Sequence, residues 1–467
     1  MEKIKMKKKK LSSYVILISC AAALGGLLFG YDTAVISGAV GFLQIKFALS
    51  SAAVGWVTSC ILIGCAIGVT IAGVLSDLFG RKKILVLSAI IFAGSSVGAA
   101  LAGSYMTLVI WRMLAGIGIG LTSLITPLYI AEMAPAEVRG KLVTVNQLAI
   151  TIGIFVVYFV NAAIVSGSTQ AWNVSTGWRW MMGVGVLPSV LFLLALIPAG
   201  ESPRWLQQHG KADAALSVLK RVEGDDAAAQ TQLDDIVASE KVVDDTSFKD
   251  LFNKTWLPVL MIGVLLAIFQ QFSGSNAIMY YAPEIFKGAG FGQNGAFMAT
   301  VSIGVINMVI TIVSLGLVDR VGRKALLGWG SFAMSLCLLV VALCFFMQAP
   351  GAVTLTFILL AIASYAVSLA PVTWIMLSEI FPSKIRGRAM SICTLILWLS
   401  DFALSYTFPI LTKNIGEGWT FMLYVAVTMI AAIFIWRKVP ETKGKSLEEI
   451  ELYWHRKSEG ATATVKN

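Results

Sequence analysis

The sequence predicts an all-α polytopic membrane protein, with twelve transmembrane helices in two six-helix bundles related by a pseudo-twofold repeat. Hydrophobic residues make up 57% of the 467 residues and charged residues 13%, and the mean hydropathy is +0.80. Soluble domains typically have about 25% charged residues, so this composition excludes an ordinary soluble protein. Apolar runs of about 20 residues, each long enough to cross about 30 Å of hydrocarbon, occur near 14–43, 53–75, 84–103, 107–131, 142–165, 178–198, 256–286, 296–318, 325–347, 352–381, 388–412 and 418–438.

A long polar stretch separates the sixth apolar run from the seventh. We therefore predict an N-terminal six-helix bundle at 1–198, a cytoplasmic helical linker at 199–253, a C-terminal six-helix bundle at 254–438 and a cytoplasmic tail at 439–467. The linker is rich in Ala, Lys, Asp and Glu, and its apolar spacing predicts short amphipathic helices. With about 55 residues it is too short to bury a sizeable core of its own.

The net charge of +10 is distributed in a way that indicates membrane topology. Basic residues cluster before the first apolar run and in alternate loops, and the loops between carry almost none. Because cytoplasmic loops of membrane proteins are enriched in Lys and Arg, we expect both termini and the linker to be cytoplasmic, in a multi-pass protein of the cell membrane. This placement argues against nucleic-acid binding.

Two charged motifs recur at nearly the same offset in the two halves. The motif at 77–82 recurs at 319–324, an offset of 319 − 77 = 242, and Glu132 recurs as Glu379, an offset of 379 − 132 = 247. Such duplication is typical of transporters that bind their substrate between two repeats. We predict that acid and base pairs between neighbouring helices form a cytoplasmic gate; the alternative is that the basic residues only set topology. The predicted gate residues are Asp77, Arg81, Glu132, Arg139, Asp319, Arg323, Glu379 and Arg386.

Asp32 is a carboxylate inside the first apolar run. A charged side chain at bilayer depth costs at least about 2.5–3.5 kcal/mol, so it is expected to face a partner or a cavity. Arg112 is the other full charge well inside an apolar run of the first half, and we predict that it is this partner. The alternative is that both side chains lie near the ends of their helices and extend towards the interface.

Neutral hydrogen-bonding side chains inside the apolar runs predict a site for a neutral, polyhydroxylated solute. Amides both donate and accept hydrogen bonds, as sugar hydroxyls require, and flat indole rings suit the C–H faces of a sugar ring. No cluster of fixed charges accompanies them. Each amide could instead join two helices. The predicted substrate contacts are Gln147, Gln270, Gln271, Asn276, Tyr280, Tyr281, Asn307, Trp374 and Trp398.

The arrangements of residues that support most enzymes are missing from the sequence. Its six cysteines all lie within apolar runs, and its two histidines, His209 and His455, lie outside them. The cysteines therefore indicate buried apolar positions rather than disulfides or metal ligands. Because there is no nucleophile and base pair, phosphate loop or metal cluster, we predict that the protein is not an enzyme and has no cofactor.

Several motifs together resemble the sugar porter family of the major facilitator superfamily. They lie at 25–38, 80–82, 200–206, 270–276, 371–374 and 439–444, and so extend over almost the whole chain. The resemblance is greatest to bacterial proton-coupled symporters of the D-xylose, galactose and arabinose type. It implies the major facilitator fold and alternating access, with Asp32 as the proton site and Arg112 as its partner. It also implies that Phe29 lines the cavity, and that the residues matching Gln147, Gln270, Gln271, Asn276, Asn307, Trp374 and Trp398 contact the sugar.

Some positions depart from the pattern of that family. Ala370 replaces a glycine, Leu397 a polar residue, Ile154 a glutamine of the xylose transporter, Asp401 an asparagine and Gly200 a proline. The loss of two polar groups argues against assuming xylose as the substrate. Asp401 is a second acid within the membrane, either facing the cavity or titrating during transport.

These observations predict proton-coupled symport of a neutral monosaccharide, pentose or hexose, with a proton as the only co-transported ion. We expect the outward-open state to hold Asp32 ionised against Arg112, and protonation to release that pair. The protein is expected to act as a monomer in the lipid bilayer. The alternatives are a facilitative sugar uniporter, a proton-coupled inositol or polyol transporter, and a sugar-sensing receptor of the same fold. The sequence leaves open which monosaccharide is carried, how transport is regulated and what role Asp401 has.

Overall fold

Long helices dominate the protein because a helix satisfies its own backbone hydrogen bonds, as the interior of a membrane requires. The computed structural model describes residues 13–135, 139–240, 251–253, 256–382, 385–445, 449–450 and 452–454, and within these ranges it contains no β-strand. The helices are α1 (Ser13–Lys46), α2 (Ser51–Phe79), α3 (Arg81–Ala100), α4 (Tyr105–Met133), α5 (Arg139–Val165), α6 (Gln170–Trp172), a π-helical turn (Asn173–Gly177), α7 (Trp178–Gly183), α8 (Val186–Leu196), α9 (Pro203–Gln208), α10 (Ala212–Glu223), α11 (Asp226–Glu240), α12 (Leu257–Phe272), α13 (Ser275–Gly288), α14 (Gln293–Val321), α15 (Arg323–Met347), α16 (Gly351–Val367), α17 (Leu369–Ile380) and α18 (Arg386–Lys438).

Eleven stretches of the described chain are long and apolar enough to span a membrane. The last of them, α18, has 53 residues and is interrupted at Gly416, where φ is 83° and ψ is 163°. Gly416 therefore divides α18 into two spans, which brings the total to twelve. The predicted all-α membrane fold with twelve spans is confirmed.

Two spans of the second half are broken within the membrane. The run predicted at 256–286 is divided at Gly274, which has a left-handed φ of 87°, and the run predicted at 352–381 is divided at Ser368 (φ −124°, ψ −90°). Pro371 lies in the first turn of α17, where its missing N–H removes no helical bond. Both runs still form single stretches long enough to span a membrane, Leu257–Gly288 and Gly351–Ile380. The sequence did not reveal the breaks within them, because apolar composition does not show a local change in backbone dihedral angles.

Helices α2 and α4 pack through glycines that let their backbones touch. A Cβ atom added at Gly64 would lie 2.2 Å from the carbonyl oxygen of Met113, and one at Gly116 would lie 2.0 Å from that of Ile61. Gly68 and Gly120 repeat this arrangement one turn further along, the small-residue spacing that allows close helix packing in membranes. The contact fixes the position of Arg112, one turn before Gly116 on α4.

The two halves meet near the ends of the helices that the loop charges predict to be extracellular. The rings of Phe42 on α1 and Phe297 on α14 stack with centroids 6.2 Å apart. The Tyr158 hydroxyl of α5 donates to the Met279 carbonyl of α13 at 2.8 Å. A Cβ atom at Gly55 of α2 would lie 2.3 Å from a carbonyl oxygen of α18. These contacts hold the halves together on that side.

The predicted linker contains the short helices α9 to α11. They bury Leu219 and Leu233 in a small apolar cluster with Trp205, and the Trp205 indole Nε1 donates to the Asp77 carbonyl at 2.8 Å. The linker helices are thus anchored to the end of α2. The boundaries between bundles, linker and tail stay predictions.

Candidate transport site

Asp32 and Arg112 are both buried and line the same small cavity, about 10 Å³ in volume. The Arg112 Nε donates to the Val57 carbonyl at 2.7 Å and its Nη2 to the Thr58 carbonyl at 3.2 Å. Asp32 Oδ2 has no hydrogen-bond partner among the described residues. The two side chains therefore face one cavity without forming the predicted ion pair, because Arg112 is held by the carbonyls of α2. A cavity of this size can hold about one water molecule.

Gln270 joins the two broken helices of the second half. Its Nε2 donates to the carbonyls of Leu369 at 2.9 Å and Ala370 at 3.2 Å, at the start of α17. Carbonyl oxygens only accept hydrogen bonds, so these contacts determine which end of the amide faces them. The other end, Gln270 Oε1, is buried without a partner among the described residues and is available to a ligand hydroxyl.

Gln271 and Asn276 form a second amide pair across the break at Gly274. Asn276 Nδ2 donates to Gln271 Oε1 at 2.6 Å. Tyr280, one turn further along α13, donates its hydroxyl to Asp401 Oδ2 at 3.0 Å. Tyr281 donates to the Ser405 carbonyl at 2.8 Å. Both tyrosines are buried, and they fasten α13 to α18.

Phe29 and Trp398 bring the two halves together at the candidate sugar site. Their ring centroids are 5.6 Å apart with planes inclined by 50°, and Trp398 Nε1 is buried without a partner in the described part of the chain. Asn307 is buried, whereas Gln147 and Trp374 are partly exposed. Nothing in the described ranges joins these last three to another predicted contact by a hydrogen bond. Their role as sugar contacts stays a prediction.

The first of two charged clusters lies at the predicted cytoplasmic end of the N-terminal half. The Arg81 Nε lies 3.1 Å from Glu132 Oε2, and its Nη1 lies 3.1 Å from Asp77 Oδ1. The side chains of Arg81 and Glu132 are each 7% exposed, whereas that of Asp77 is 71% exposed. Exposed ion pairs contribute little, so the buried pair with Glu132 is the stronger of the two.

The second cluster repeats this arrangement in the C-terminal half. The Arg323 Nη2 lies 3.0 Å from Asp319 Oδ1 and 3.1 Å from Glu379 Oε1. The Arg386 Nε donates to the Phe381 carbonyl at 3.2 Å, and the side chain of Arg139 lies outside the described residues. Each of the four ion pairs of Arg81 and Arg323 lies within one half. The predicted gate between the halves therefore stays a prediction.

Glu201 and Glu441 contact the two charged clusters, and the sequence analysis did not single them out as members of the site. Glu201 Oε1 accepts hydrogen bonds from the backbone N–H groups of Arg81, at 2.8 Å, and Lys82, at 3.1 Å. Glu441 accepts from those of Arg323, at 3.0 Å, and Lys324, at 3.1 Å. These N–H groups belong to the first turns of α3 and α15, where helical partners are lacking. The signal available in the sequence was the offset, 441 − 201 = 240, close to that of the other repeated motifs.

Gly80 and Gly322 precede those first turns and adopt a backbone conformation that other residues avoid. Gly80 has φ 99° and ψ 156°, and Gly322 has φ 105° and ψ 155°, a region almost restricted to glycine. A Cβ atom would lie 2.4 Å from Glu201 Oε2 at Gly80, and 2.8 Å from Glu441 Oε2 at Gly322. We call each glycine with its glutamate a helix-start clamp: Gly80 with Glu201, and Gly322 with Glu441.

Comparisons with known proteins agree with this architecture. Residues 18–454 match the family described as "Sugar (and other) transporter". The chain is 44% identical to the arabinose-proton symporter of Bacillus subtilis (strain 168), over 94% of this chain and 95% of the relative. It is 40% identical to the D-xylose-proton symporter of Escherichia coli (strain K12), over 97% of this chain and 98% of the relative.

Solved structures of the E. coli xylose transporter XylE have the same fold. The inward open conformation superposes with a TM-score of 0.85 at 39% identity, covering 94% of this chain and 100% of that one. XylE bound to 6-bromo-6-deoxy-D-glucose superposes with a TM-score of 0.79 at 39% identity, covering 95% and 99%. The fold, the motifs and these relatives lead to one conclusion: the chain belongs to the sugar transporter family, as a sugar porter of the major facilitator superfamily.

Proposed function

We propose that the protein is a symporter that carries one neutral monosaccharide and a proton together across the cell membrane by alternating access. The observation that carries the proposal is Asp32, a buried carboxylate whose Oδ2 lacks a partner among the described residues and which shares a cavity with Arg112. Acids within membrane spans are typical of proton pathways. Relatives named as proton symporters of arabinose and xylose support the same function.

The arrangement supports an inward-facing state. The halves are in contact at the predicted extracellular end, through Phe42 with Phe297 and Tyr158 with Met279. The fold is also more similar to the inward open XylE structure than to the XylE structure bound to a sugar analogue. In this state Arg112 binds the carbonyls of α2 and is separated from Asp32.

The proton and the arginine alternate as partners of Asp32 in the proposed cycle. In the outward-open state Asp32 is ionised and bound to Arg112. Protonation neutralises Asp32 and releases Arg112, whose guanidinium then binds the Val57 and Thr58 carbonyls as it does here. The halves close over the sugar and reopen to the cytoplasm, where the proton leaves. The two charge-assisted hydrogen bonds to carbonyls offset part of the free-energy cost of burying the released cation.

The sugar is proposed to bind with the rings of Phe29 and Trp398 on one side and the amides of the second half on the other. Gln270 Oε1 and Trp398 Nε1 are buried and unpartnered, one accepting and one donating, so they suit hydroxyl groups. The other proposed contacts are Gln147, Gln271, Asn276, Tyr280, Tyr281, Asn307 and Trp374. A pentose is favoured by the names of the relatives, and the protein is proposed to act as a monomer with both termini in the cytoplasm.

The test is uptake of labelled xylose, arabinose, galactose, glucose and inositol into vesicles containing the native protein, Asp32→Asn or Asp213→Asn. Asp213 is an exposed acid of α10 and serves as the matched control. We expect the native protein and Asp213→Asn to accumulate one sugar only when a proton gradient is applied. Asp32→Asn should exchange that sugar but not concentrate it, because a neutral amide cannot take up and release a proton.

Other outcomes identify the alternatives. If all three proteins equilibrate sugar and ignore the gradient, the protein is a uniporter and Asp32 has a structural role. If inositol is accumulated and the monosaccharides are not, the substrate is a polyol. If no solute is transported or exchanged, the proposal of a transporter for neutral sugars is wrong.

A further inference from the structure

Asp401 is a buried acid that the proposed proton cycle does not use. Asp401 is 1% exposed to solvent. Its Oδ2 accepts a hydrogen bond from the Tyr280 hydroxyl at 3.0 Å and its Oδ1 one from the Ser405 hydroxyl at 3.2 Å. In the described part of the chain the groups that interact with it are neutral donors rather than cations. Asp401 is therefore held by donors alone, one of which is a predicted sugar contact.

Tyr280, the donor to Asp401 Oδ2, lies one turn after Asn276 on α13, so the Asn276 amide lies next to the same carboxylate. Asn276 Nδ2 donates to Gln271 Oε1 at 2.6 Å. Taken alone, that pair has two equivalent arrangements, because each amide has a donor end and an acceptor end and both amides could reverse together. An ionised carboxylate only accepts hydrogen bonds. Its presence therefore favours the arrangement in which the Nδ2 end of Asn276 points towards Asp401 and Gln271.

This arrangement determines which atoms the amides leave for a ligand. Asn276 Oδ1 remains as an acceptor and Gln271 Nε2 as a donor, and neither has a protein partner in the described ranges. Gln270 is oriented independently, because its Nε2 is held by two backbone carbonyls. The second half thus presents a defined set of acceptors and donors rather than amides that can rotate to suit each ligand.

We propose that Asp401 is a positioning residue that fixes the polarity of the Asn276 and Gln271 amides and so restricts which sugar analogues the site accepts. The inference rests on the proposed function, since it assigns a role within the same sugar site. An asparagine, the residue that the family pattern has at this position, offers both a donor and an acceptor end. An asparagine would allow either arrangement of the two amides. With the aspartate, the site of this chain should therefore discriminate between sugar analogues more strongly than a site with asparagine.

The test is competition for sugar binding by deoxyfluoro analogues of the bound monosaccharide, one ring position at a time. Fluorine in place of a hydroxyl cannot donate a hydrogen bond. In the native protein the sugar hydroxyl that faces Asn276 Oδ1 has to donate a hydrogen bond. Fluorine at that ring position should therefore raise the inhibition constant by at least about tenfold, because Asn276 Oδ1 is then buried without a donor. In Asp401→Asn the amides can reverse, and this penalty should fall to about threefold or less, while the affinity for the parent sugar changes little.

Ser405→Ala is the matched control, because it removes one donor from the carboxylate but keeps the acid. It should retain the native fluorine pattern. If Asp401→Asn does not fold, Asp401→Ser serves instead, since a hydroxyl also accepts and donates and leaves the amides free to reverse. Combining Asp401→Asn with Gln271→Glu should restore the penalty, because a carboxylate at 271 again accepts only.

Two results would overturn the inference. One is an unchanged fluorine penalty at every position in Asp401→Asn. The other is an equal loss of affinity for the parent sugar and all analogues, which indicates a packing role. The assay measures binding, so its result does not depend on the proposed coupling to protons. If the protein binds sugar but does not respond to protons, the proposed function is wrong, and the assay still decides whether Asp401 positions the amides. A native protein that binds no monosaccharide contradicts both.

Discussion

Asp32 and Arg112 line one cavity, but different neighbours hold them. The two hydrogen bonds from Arg112 to α2 carbonyls require α2 and α4 to lie unusually close, which Gly64 and Gly116 permit. At the residue scale the proposed coupling site therefore depends on two glycines as well as on two charges. The sequence predicts that both charges are buried together. It does not predict the carbonyl contacts, because they depend on the distance between two helix backbones.

The glycine of a helix-start clamp is the residue whose replacement has the clearest structural cost. Gly80→Ala puts a Cβ atom into a conformation that costs about 1–3 kcal/mol and against the Glu201 carboxylate, 2.4 Å away. We expect a lower Tm of the purified protein and weaker binding of Glu201 to the first turn of α3. Gly322→Ala should act in the same direction.

Gly73→Ala is the control for this prediction. Gly73 lies inside α2, the helix that ends just before Gly80, and a Cβ atom there meets nothing within 4 Å. Alanine in a helix is favoured over glycine by roughly 0.5–1 kcal/mol, so Tm should be unchanged or higher. Equal Tm values for Gly80→Ala and Gly73→Ala would contradict a structural role of the clamp.

At the scale of elements, the broken helices of the second half build the candidate sugar site. The breaks at Gly274 and Ser368 lie beside Gln270, Gln271 and Asn276, and Gln270 bonds across both broken spans. Breaks in membrane helices are tolerated where neighbouring groups satisfy the freed backbone. The amides therefore support the breaks by hydrogen bonds, and they are also proposed to present polar atoms to the sugar.

The hydroxyl of Tyr158 joins α5 to α13 across the two halves. Tyr158→Phe leaves the Met279 carbonyl without this donor when the predicted extracellular side is closed. A lost hydrogen bond of about 1 kcal/mol should shift the equilibrium roughly fivefold towards the state open on that side. Distances between spin labels at the predicted extracellular ends of α5 and α14 would measure the shift.

Tyr129→Phe is the matched control, because the Tyr129 hydroxyl bonds the Gly200 carbonyl within the first half. Its removal should leave the distance distribution unchanged. Identical distributions in the native protein and Tyr158→Phe would mean that this contact does not stabilise the closed side.

Sequence alone predicted the number of spans and the duplicated charge motifs, because hydropathy and spacing are visible in one dimension. It also brought out Gln270 and Trp398, whose hydrogen-bonding side chains are unusual inside apolar runs, whereas Phe29 came from the family resemblance alone. It missed the break at Ser368, where no residue type marks the change in ψ. It also missed the roles of Glu201 and Glu441, because a carboxylate after a span is equally typical of a solvated loop.

At the scale of the whole molecule, the two halves are proposed to contribute different chemistry to transport. Asp32 and Arg112 belong to the first half, and most of the predicted sugar contacts belong to the second. Contacts such as that between Phe29 and Trp398 couple them. Coupling of proton and sugar is thus proposed to be a property of how the halves move together rather than of a single site.

This proposal predicts how far sugar accumulates at a given membrane potential. One proton moving through 100 mV supplies about 2.3 kcal/mol, which supports roughly fortyfold accumulation at about 1.4 kcal/mol per tenfold change. The logarithm of the accumulation ratio in vesicles should therefore rise linearly with the imposed potential, so that the ratio itself rises about tenfold per 60 mV for one proton. A doubled slope would indicate two protons per sugar, and a zero slope would exclude coupling.

The helix-start clamps have a consequence for how the protein can be divided. Gly80 and Glu201 lie in one half of the polypeptide, and Gly322 and Glu441 in the other. Each half thus contains both residues of its helix-start clamp, as expected if each half descends from a unit that folded alone and was then duplicated. Two polypeptides separated between residues 240 and 256 would each contain a complete clamp, and their co-expression in one membrane should reconstitute a working transporter from its halves.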